Sequence, residues 1–479
     1  MRAVLTRDEM RAADAAALTS VSHETLVQRA GTAVARGALR LLGGAYGRRV
    51  VVVAGKGSNG ADGRVAAAVL TRRGARVSVL EAEDLGPGAV LPPCDLVVDG
   101  AYGTGFRGTY DAPAVPPGAA VLAIDIPSGV DADTGEASGD AVRADGTVTF
   151  AALKPGLLQA DGARLSGTVE VADIGIDFPT PRALLVSDAD VAAVPPRPRQ
   201  VNKWTTAVGV AAGSAGMEGA AILCTRGAMA AGAGMIRLGN PGNPSAAWPT
   251  EAVRMHLPAE GWAGAFLEAT AKCKAIVIGP GLGTGDAVAE EIRAVIAAAS
   301  VPLVIDADAL SALGDSTAAR ALIEKRSAPS ILTPHDGEYA RIAGAPPGED
   351  RLAAARRLAE ATGAVVLVKG SLTAVGRPGG PTPDVLLGAA GGPVLATAGS
   401  GDVLSGIIGA FLARGLPPLE AAAVAAHVHG RAASLGSPEG LVSGDLPPLV
   451  AEVLSTLGAR SHAGNQSQSQ NLHVETSGG

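Results

Sequence analysis

The chain has 479 residues, 47% of them hydrophobic and 18% charged, with a formal net charge of −7. So much apolar side chain excludes intrinsic disorder for most of the length, and the small negative charge without a basic stripe excludes general nucleic-acid affinity. Aromatics make up only 3%, so the cores must be built from Ala, Val, Leu and Ile. In chain order, helical patterns cover residues 7–18 and 25–42. A β-branched run at 50–54 reads as a strand buried on both faces, and 63–73 is helical. Strands at 76–80, 96–98 and 121–126 complete a strand–helix alternation that predicts a parallel sheet covered by helices, a Rossmann-like three-layer α/β/α domain. The run Pro195-Pro196-Arg197-Pro198-Arg199-Gln200 is predicted to be an extended linker, because proline removes backbone donors and disfavours helix before it. Beyond it, strands at 207–212, 275–278, 303–305, 330–332 and 364–368 again alternate with helices, and helices at 402–414 and 418–435 close a second α/β domain. The expected division is therefore 1–198, 199–458, and a disordered tail at 459–479 without apolar period.

Gly is present 65 times and Pro 32 times without a strict repeat, which excludes collagen-like and low-complexity readings. Cys94, Cys224 and Cys273 are odd in number and far apart, so buried thiols in a reducing cytoplasm are expected rather than disulfides or zinc. Residues 1–19 lack the basic and apolar regions of a signal peptide. The stretch 219–236 is interrupted by Arg226, so no spanning helix and no membrane partner are expected.

In parallel sheets of this kind ligands sit beyond the carboxyl ends of the strands. After the strand at 50–54 comes Gly55-Lys56-Gly57-Ser58-Asn59-Gly60-Ala61-Asp62-Gly63. Its glycines permit close backbone approach, and the helix that follows offers unpaired N–H groups to a phosphate. The strand at 96–98 ends in Asp99, followed by Gly100-Ala101-Tyr102-Gly103-Thr104-Gly105-Phe106-Arg107-Gly108. A third ends in Asp125, then Ile126-Pro127-Ser128-Gly129. An aspartate directly after an apolar strand is costly unless it has partners. Asn59, Asp62, Asp99, Asp125 and Ser128 together offer hard oxygens suited to an alkali or alkaline-earth cation.

These motifs, with Gln28-Arg29-Ala30-Gly31, resemble the NAD(P)H-hydrate epimerase family over most of residues 1–195. That family interconverts the R and S forms of the C6-hydrated nicotinamide ring. The resemblance implies that Ser58, Asn59, Gly60, Ala61 and Asp62, with Gly103, Thr104, Gly105, Phe106, Arg107, Gly108 and Thr109, line the hydrate and its phosphates. It implies that Asn59, Asp99 and Ser128 ligate K⁺ and that Asp125 contacts substrate and transfers the proton. The family usually reads Asn-Asn-Gly-Gly-Asp-Gly where this chain has Ser58 and Ala61, and Ala61 requires a backbone that is not left-handed.

In the second half, Thr397-Ala398-Gly399-Ser400-Gly401-Asp402 precedes an apolar helix. Small residues there leave backbone N–H groups open to a phosphate, and Asp402 can hold or take a proton beside a transferring group. The strand at 365–368 leads into Lys369-Gly370-Ser371-Leu372-Thr373, a cation with hydroxyls for a second anion contact. Ile278-Gly279-Pro280-Gly281-Leu282-Gly283 and Thr333-Pro334-His335-Asp336-Gly337-Glu338 add two more strand ends, while His427 and His429 read as packing or surface residues.

This constellation resembles the ribokinase-like superfamily and, within it, the ADP-dependent NAD(P)H-hydrate dehydratases, over about residues 200–455. Asn202-Lys203-Trp204-Thr205, the run from Ala211 to Ala221, Ala231-Gly232-Ala233-Gly234-Met235 and the Gly279 to Gly283 motif carry the likeness. It implies that Ala220, Gly283, His335 and Asp402 contact the hydrate, Asp402 as catalytic base. It also implies that Lys369, Gly370, Ser371, Leu372 and Thr373, and residues 392–401 including Thr397, Ala398, Gly399, Ser400 and Gly401, hold the nucleotide. Asp336 stands where that family often has Pro. The expectation is a fused repair enzyme acting on NADHX and NADPHX, with K⁺ in the first domain, Mg²⁺ in the second, ADP as co-substrate, and a cytoplasmic homo-oligomer as its form. The rival is a ribokinase-like small-molecule kinase carrying an N-terminal binding module.

Overall fold

The computed structural model describes residues 1–196, 202–243, 248–380 and 382–471. It divides into two compact units whose seam lies between Arg182 and Ala183. In the first, strands β1 (Arg2–Val4), β2 (Arg49–Ala54), β3 (Arg76–Glu81), β4 (Leu96–Gly100), β5 (Ala120–Ile124), β6 (Gly146–Phe150) and β7 (Thr168–Ala172) accompany helices α1 (Arg7–Ala17), α2 (His23–Leu42), α3 (Ser58–Arg72) and α4 (Ala160–Leu165). The sheet order is β3-β2-β4-β5-β6-β7, parallel throughout. Alternation sorts the side chains: Val50, Val52, Leu96, Val98, Leu122 and Ile124 pack under Val34, Ala38 and Leu70 of α2 and α3. Val51, Val53, Val97, Val121 and Ala123 point to the other face. There the layer is made of connecting segments carrying Leu91, Cys94, Val142 and Ala144.

The second unit comprises β8 (Ala183–Leu185), α5 (Asp188–Val191), β9 (Ala207–Ala211), α6 (Glu218–Ala230), β10 (Met235–Gly239), β11 (Val253–Met255), α7 (Trp262–Thr270), β12 (Ala275–Ile278), α8 (Asp286–Ala298), β13 (Leu303–Ile305), α9 (Asp308–Ala312) and α10 (Ser316–Ile323). It continues with β14 (Ser330–Leu332), α11 (Asp336–Ala343), α12 (Arg351–Thr362), β15 (Val365–Val368), β16 (Thr373–Gly376), β17 (Val385–Gly388), α13 (Ser400–Ala413), α14 (Pro418–Leu435) and α15 (Leu446–Asn471). Its sheet runs β8-β17-β16-β15-β14-β13-β12-β9-β10-β11, with β16 antiparallel to both neighbours and the other pairs parallel. Val208 and Val210 of β9 face the cluster built with α6, α13, α14 and α15. Between them Gly209 faces Thr270 of α7, where a Cβ would come within 2.6 Å of its side chain. Helices therefore cover both faces.

Three boundaries differ from the sequence reading. The seam precedes the proline run, part of which (197–201) lies outside the described residues, because β8 pairs with β17 and so belongs to the second sheet. The expected tail at 459–479 is helical in backbone to Asn471, while 472–479 lie outside the described residues. A helix already nucleated and docked through Val450, Val453 and Leu457 extends at one hydrogen bond per added residue without needing an apolar stripe. Finally, α3 starts at Ser58 rather than Gly63, so the glycine-rich segment forms its first turn. All three cysteines are free and buried. Among the described residues no helix is long and apolar enough to cross a membrane.

Candidate active sites

Both sites lie where strands end. In the first unit, Gly57 caps α3, and the glycines around it serve close approach. A Cβ on Gly60 would fall 1.8 Å from the Gly55 carbonyl, and one on Gly55 would fall 2.0 Å from that of Ala101. Ala61 is helical, which answers the requirement its side chain imposes. A cavity of about 680 Å³ opens above this turn. Ser58, Asn59, Asp62, Gly103, Thr104, Gly105, Phe106, Arg107 and Asp125 line it, whereas Gly60, Ala61, Gly108 and Thr109 do not. Asp14 of α1, His23 of α2, Lys56 and Lys154 line it as well.

Lys154 was not legible as a site residue in the sequence. Its side chain is 1% exposed, and Nζ donates to Asp125 Oδ1 at 2.5 Å, Thr149 Oγ1 at 2.9 Å and the Phe150 carbonyl at 3.0 Å. Thr149 Oγ1 and the Phe150 N–H also donate to Asp125 Oδ1, at 2.9 and 3.4 Å. Asp125 itself has φ of 65°, a left-handed conformation that a non-glycine residue holds only where its surroundings impose it. Asp62 is 4% exposed and its carboxyl is pushed up to about 8 by burial and then by the charge of Asp125. Burial, and next Asp125, raises Asp14 too.

Asp99 and Ser128 are buried beside Tyr102 rather than in the cavity wall. Asp99 accepts from Ser128 N at 2.8 Å, Ser128 Oγ at 2.7 Å and Ala101 N at 3.3 Å. Tyr102 N donates to Ser128 Oγ at 2.9 Å, and Asn59 Nδ2 donates to the carbonyls of Tyr102 and Ile124. The expected trio Asn59, Asp99 and Ser128 is thus gathered into one network. Burial pushes Asp99 up to about 6 against the hydrogen bonds from Ser128 and Ala101, and only neutral donors meet it.

In the second unit the hub is Asp306, which sequence reading passed over because it stands in an unremarkable Asp-Ala-Asp run after β13. It is 1% exposed. Oδ1 accepts from Lys369 Nζ at 2.6 Å and Thr333 Oγ1 at 2.7 Å, and Oδ2 from Ser405 Oγ at 2.6 Å. One side chain therefore ties the ends of β13, β14 and β15 to α13. Burial pushes Asp306 up, but Lys369 and the two hydroxyls outweigh it and leave the carboxyl below its ordinary range. Gly399 caps α13 with φ of 87°, and a Cβ on Gly401 would lie 3.2 Å from Lys369 Nζ, so the ammonium stands at the N-terminal turn of that helix. Asp402, in the same turn, is pushed up to about 7 by burial and then by Asp306. Gly283 N donates to Asp308 Oδ2 at 2.8 Å, and Ala220 abuts Gly281. His335 caps α11, accepting from Gly337 N and Glu338 N, and Lys369 N donates to the Pro334 carbonyl. Leu372 is fully buried, so its side chain faces the core. Asp336 pairs with Arg351 at 3.0 Å, and Arg351 also holds the Lys369 carbonyl. His429, expected as packing or surface, is buried within the electrostatic reach of Lys369; burial and that charge hold it down at about 4.

Residues 208–455 match the family described as NAD(P)H-hydrate dehydratase, and residues 23–91 and 81–156 match that described as YjeF-related protein N-terminus. The bifunctional NAD(P)H-hydrate repair enzyme Nnr of Mycobacterium tuberculosis (strain CDC 1551) is 42% identical over 88% of this chain and 92% of its own. That of Mycobacterium leprae is 40% identical over 93% and 96%. Among solved structures, the ADP/ATP-dependent NAD(P)H-hydrate dehydratase from Bacillus subtilis, co-crystallised with ATP and Mg²⁺, is 30% identical. It covers 57% of this chain and 97% of its own, at a TM-score of 0.48.

Proposed function

The chain belongs to the family of bifunctional NAD(P)H-hydrate repair enzymes, and from that membership we propose a division of labour between its two units. The enzyme epimerises R- and S-NAD(P)HX and dehydrates the S form to NAD(P)H. The first unit is the epimerase, with Asp125 as a proton-transfer group and Ser58, Asn59, Asp62 and residues 103–107 around the substrate. The second is the dehydratase. Hydroxide is a poor leaving group, so the hydrate's hydroxyl is first phosphorylated by ADP, giving AMP, and phosphate then departs as the ring double bond forms. Asp402 takes the hydroxyl proton. The backbone N–H groups at the start of α13, with Lys369, stabilise charge on the phosphoryl group in transit. The observation that carries this assignment is Lys369 Nζ standing against Gly401, one residue from Asp402.

K⁺ fits the Asn59, Asp99 and Ser128 network, because Asp99 is a buried carboxyl met only by neutral donors. When bound, the cation would supply the missing counter-charge and hold substrate phosphate electrostatically. Potassium should accelerate epimerisation and raise the melting temperature of the wild-type protein; Asp99→Asn should lose both responses. Mg²⁺ keeps much of its water and rides on nucleotide phosphates with one or two carboxylates. Asp308 and Glu338, both close enough to bias Asp402, can supply these. We also propose a homo-oligomer, which light scattering of the purified chain tests, and a cytoplasmic location, which fractionation of cells tests.

The test of function is direct. Incubation of NADHX with ADP, Mg²⁺ and K⁺ should restore NADH absorbance, first from the S form and then, through epimerisation, from all of it. No recovery with ADP or ATP, and phosphorylation of a sugar or pyrimidine alcohol instead, would point to the kinase reading.

A further inference from the structure

Two carboxyls, Asp62 and Asp125, face one cavity from different elements, and their surroundings differ in kind. Asp125 Oδ1 is saturated by three donors, and its charge is balanced by a buried lysine whose three protons are all placed. Oδ2 is left to the cavity. Asp62 is nine-tenths buried, with no hydrogen-bond donor and no cation partner among the described residues. A buried carboxyl without a donor keeps its proton, whereas one held at Oδ1 by three donors presents its other oxygen as an acceptor. Pairs of acids whose environments separate them in this way divide into proton donor and proton acceptor.

We propose that Asp62 and Asp125 are the acid and the base of the epimerisation, Asp62 protonating the departing C6 oxygen and Asp125 taking a proton from the water that enters. This rests on the first unit being the epimerase. In the first step the C6–O bond breaks with its electron pair on oxygen. The oxygen takes the Asp62 proton and leaves as water, while the ring nitrogen's lone pair forms the N1=C6 double bond. In the second, water adds to C6 from the opposite face, the N1=C6 pair returns to nitrogen, and the water's proton passes to Asp125 Oδ2. One water leaves and one enters. Asp62 ends ionised and Asp125 protonated, and exchange with cavity water resets them; the reverse conversion uses the same groups in exchanged roles. Lys154 acts as a positioning residue that fixes Asp125 through Oδ1 and leaves Oδ2 for the cavity.

The charged and titratable groups facing Asp62 are Asp125 and Lys154, Asp14 from α1, His23 from α2, Lys56 before α3, and Tyr102 and Arg107 after β4. None gives Asp62 a bond, and the carboxylate of Asp125 holds its proton on. Epimerisation should therefore weaken as pH rises through about 8.

The full chain is incubated with purified R-NADHX and K⁺ in H₂¹⁸O, without nucleotide so that the second unit is idle, and the epimers are separated and weighed. Each conversion should place one ¹⁸O at C6. Asp62→Asn should lower kcat for R-NADHX about 10²-fold or more with a much smaller change in KM, and the alkaline limb of the residual rate should vanish. Because asparagine keeps the shape and removes a buried unpartnered acid, folding is not at risk; an unchanged melting temperature or a rise confirms this. Wild-type turnover by Asp62→Asn, or conversion without ¹⁸O uptake, would overturn the proposal. So would loss of the alkaline limb in Asp14→Asn instead. Failure of the wild-type chain to interconvert the epimers at all would overturn the epimerase reading itself.

Discussion

Each unit builds a buried aspartate–lysine pair at the carboxyl end of its parallel sheet, Asp125–Lys154 in the first and Asp306–Lys369 in the second. Beside each pair stands another acid that burial and the paired aspartate push up, Asp62 to about 8 and Asp402 to about 7. The pairs differ in what they leave free. Asp306 has both oxygens occupied and is 1% exposed, so it can only position others. Asp125 has one oxygen saturated and the other open to a cavity. Similar charge arithmetic thus yields a structural hub in one unit and, in the proposed mechanism, a reacting group in the other, and the deciding variable is access to the cavity.

The comparison breaks most visibly in activity. Asp402→Asn should cost dehydration about 10²–10⁴-fold while leaving R/S interconversion, and Asp125→Asn should do the reverse. Separate assays for epimer ratio and NADH recovery read both. Stability tests the two ion pairs themselves. Asp306→Ala leaves the Lys369 ammonium without its buried counter-ion, a change that costs about 3–5 kcal/mol for such pairs. Asp125→Ala should cost at least as much, because Lys154 is 1% exposed whereas Lys369 is 22% exposed; denaturant unfolding of the two variants compares them.

The pH profiles sharpen the contrast. With the proposed roles, Asp402 must be ionised to act as base, so dehydration should rise with pH through about 7, whereas epimerisation, with Asp62 as the proposed acid, should fall through about 8. Asp306→Asn removes the second-largest cause of the Asp402 shift and should move the dehydration limb to lower pH in pH–rate curves. The smallest effect belongs to Asp336, where this chain departs from the dehydratase pattern. Its pair with Arg351 is 60% exposed on the aspartate side, so Asp336→Ala should change stability by about 1 kcal/mol or less in thermal unfolding.

Much of this was legible in the amino-acid order. The β-branched run at β2 announced a strand buried on both faces, and the apolar runs at β12 and β13 announced strands, through composition alone. Asp99 and Asp125 stood out because an acid directly after an apolar strand needs a partner, and Asp402 because it follows small residues at a helix start. Strand β6 was hidden because its buried Thr147 and Thr149 read as polar, and β10 because Arg237 interrupts its pattern. The Ser58-to-Gly63 segment looked like a loop because its glycines report close approach and not helix.

Local order therefore determined which elements form and which side chains carry charge, since both depend on periodicity and residue type. Only the tertiary structure decided that Lys154 meets Asp125 across 29 positions and Lys369 meets Asp306 across 63. A charge partner is chosen by how strands order within a sheet, and burial then sets how strongly the partners act; neither is written in the neighbourhood of any one residue.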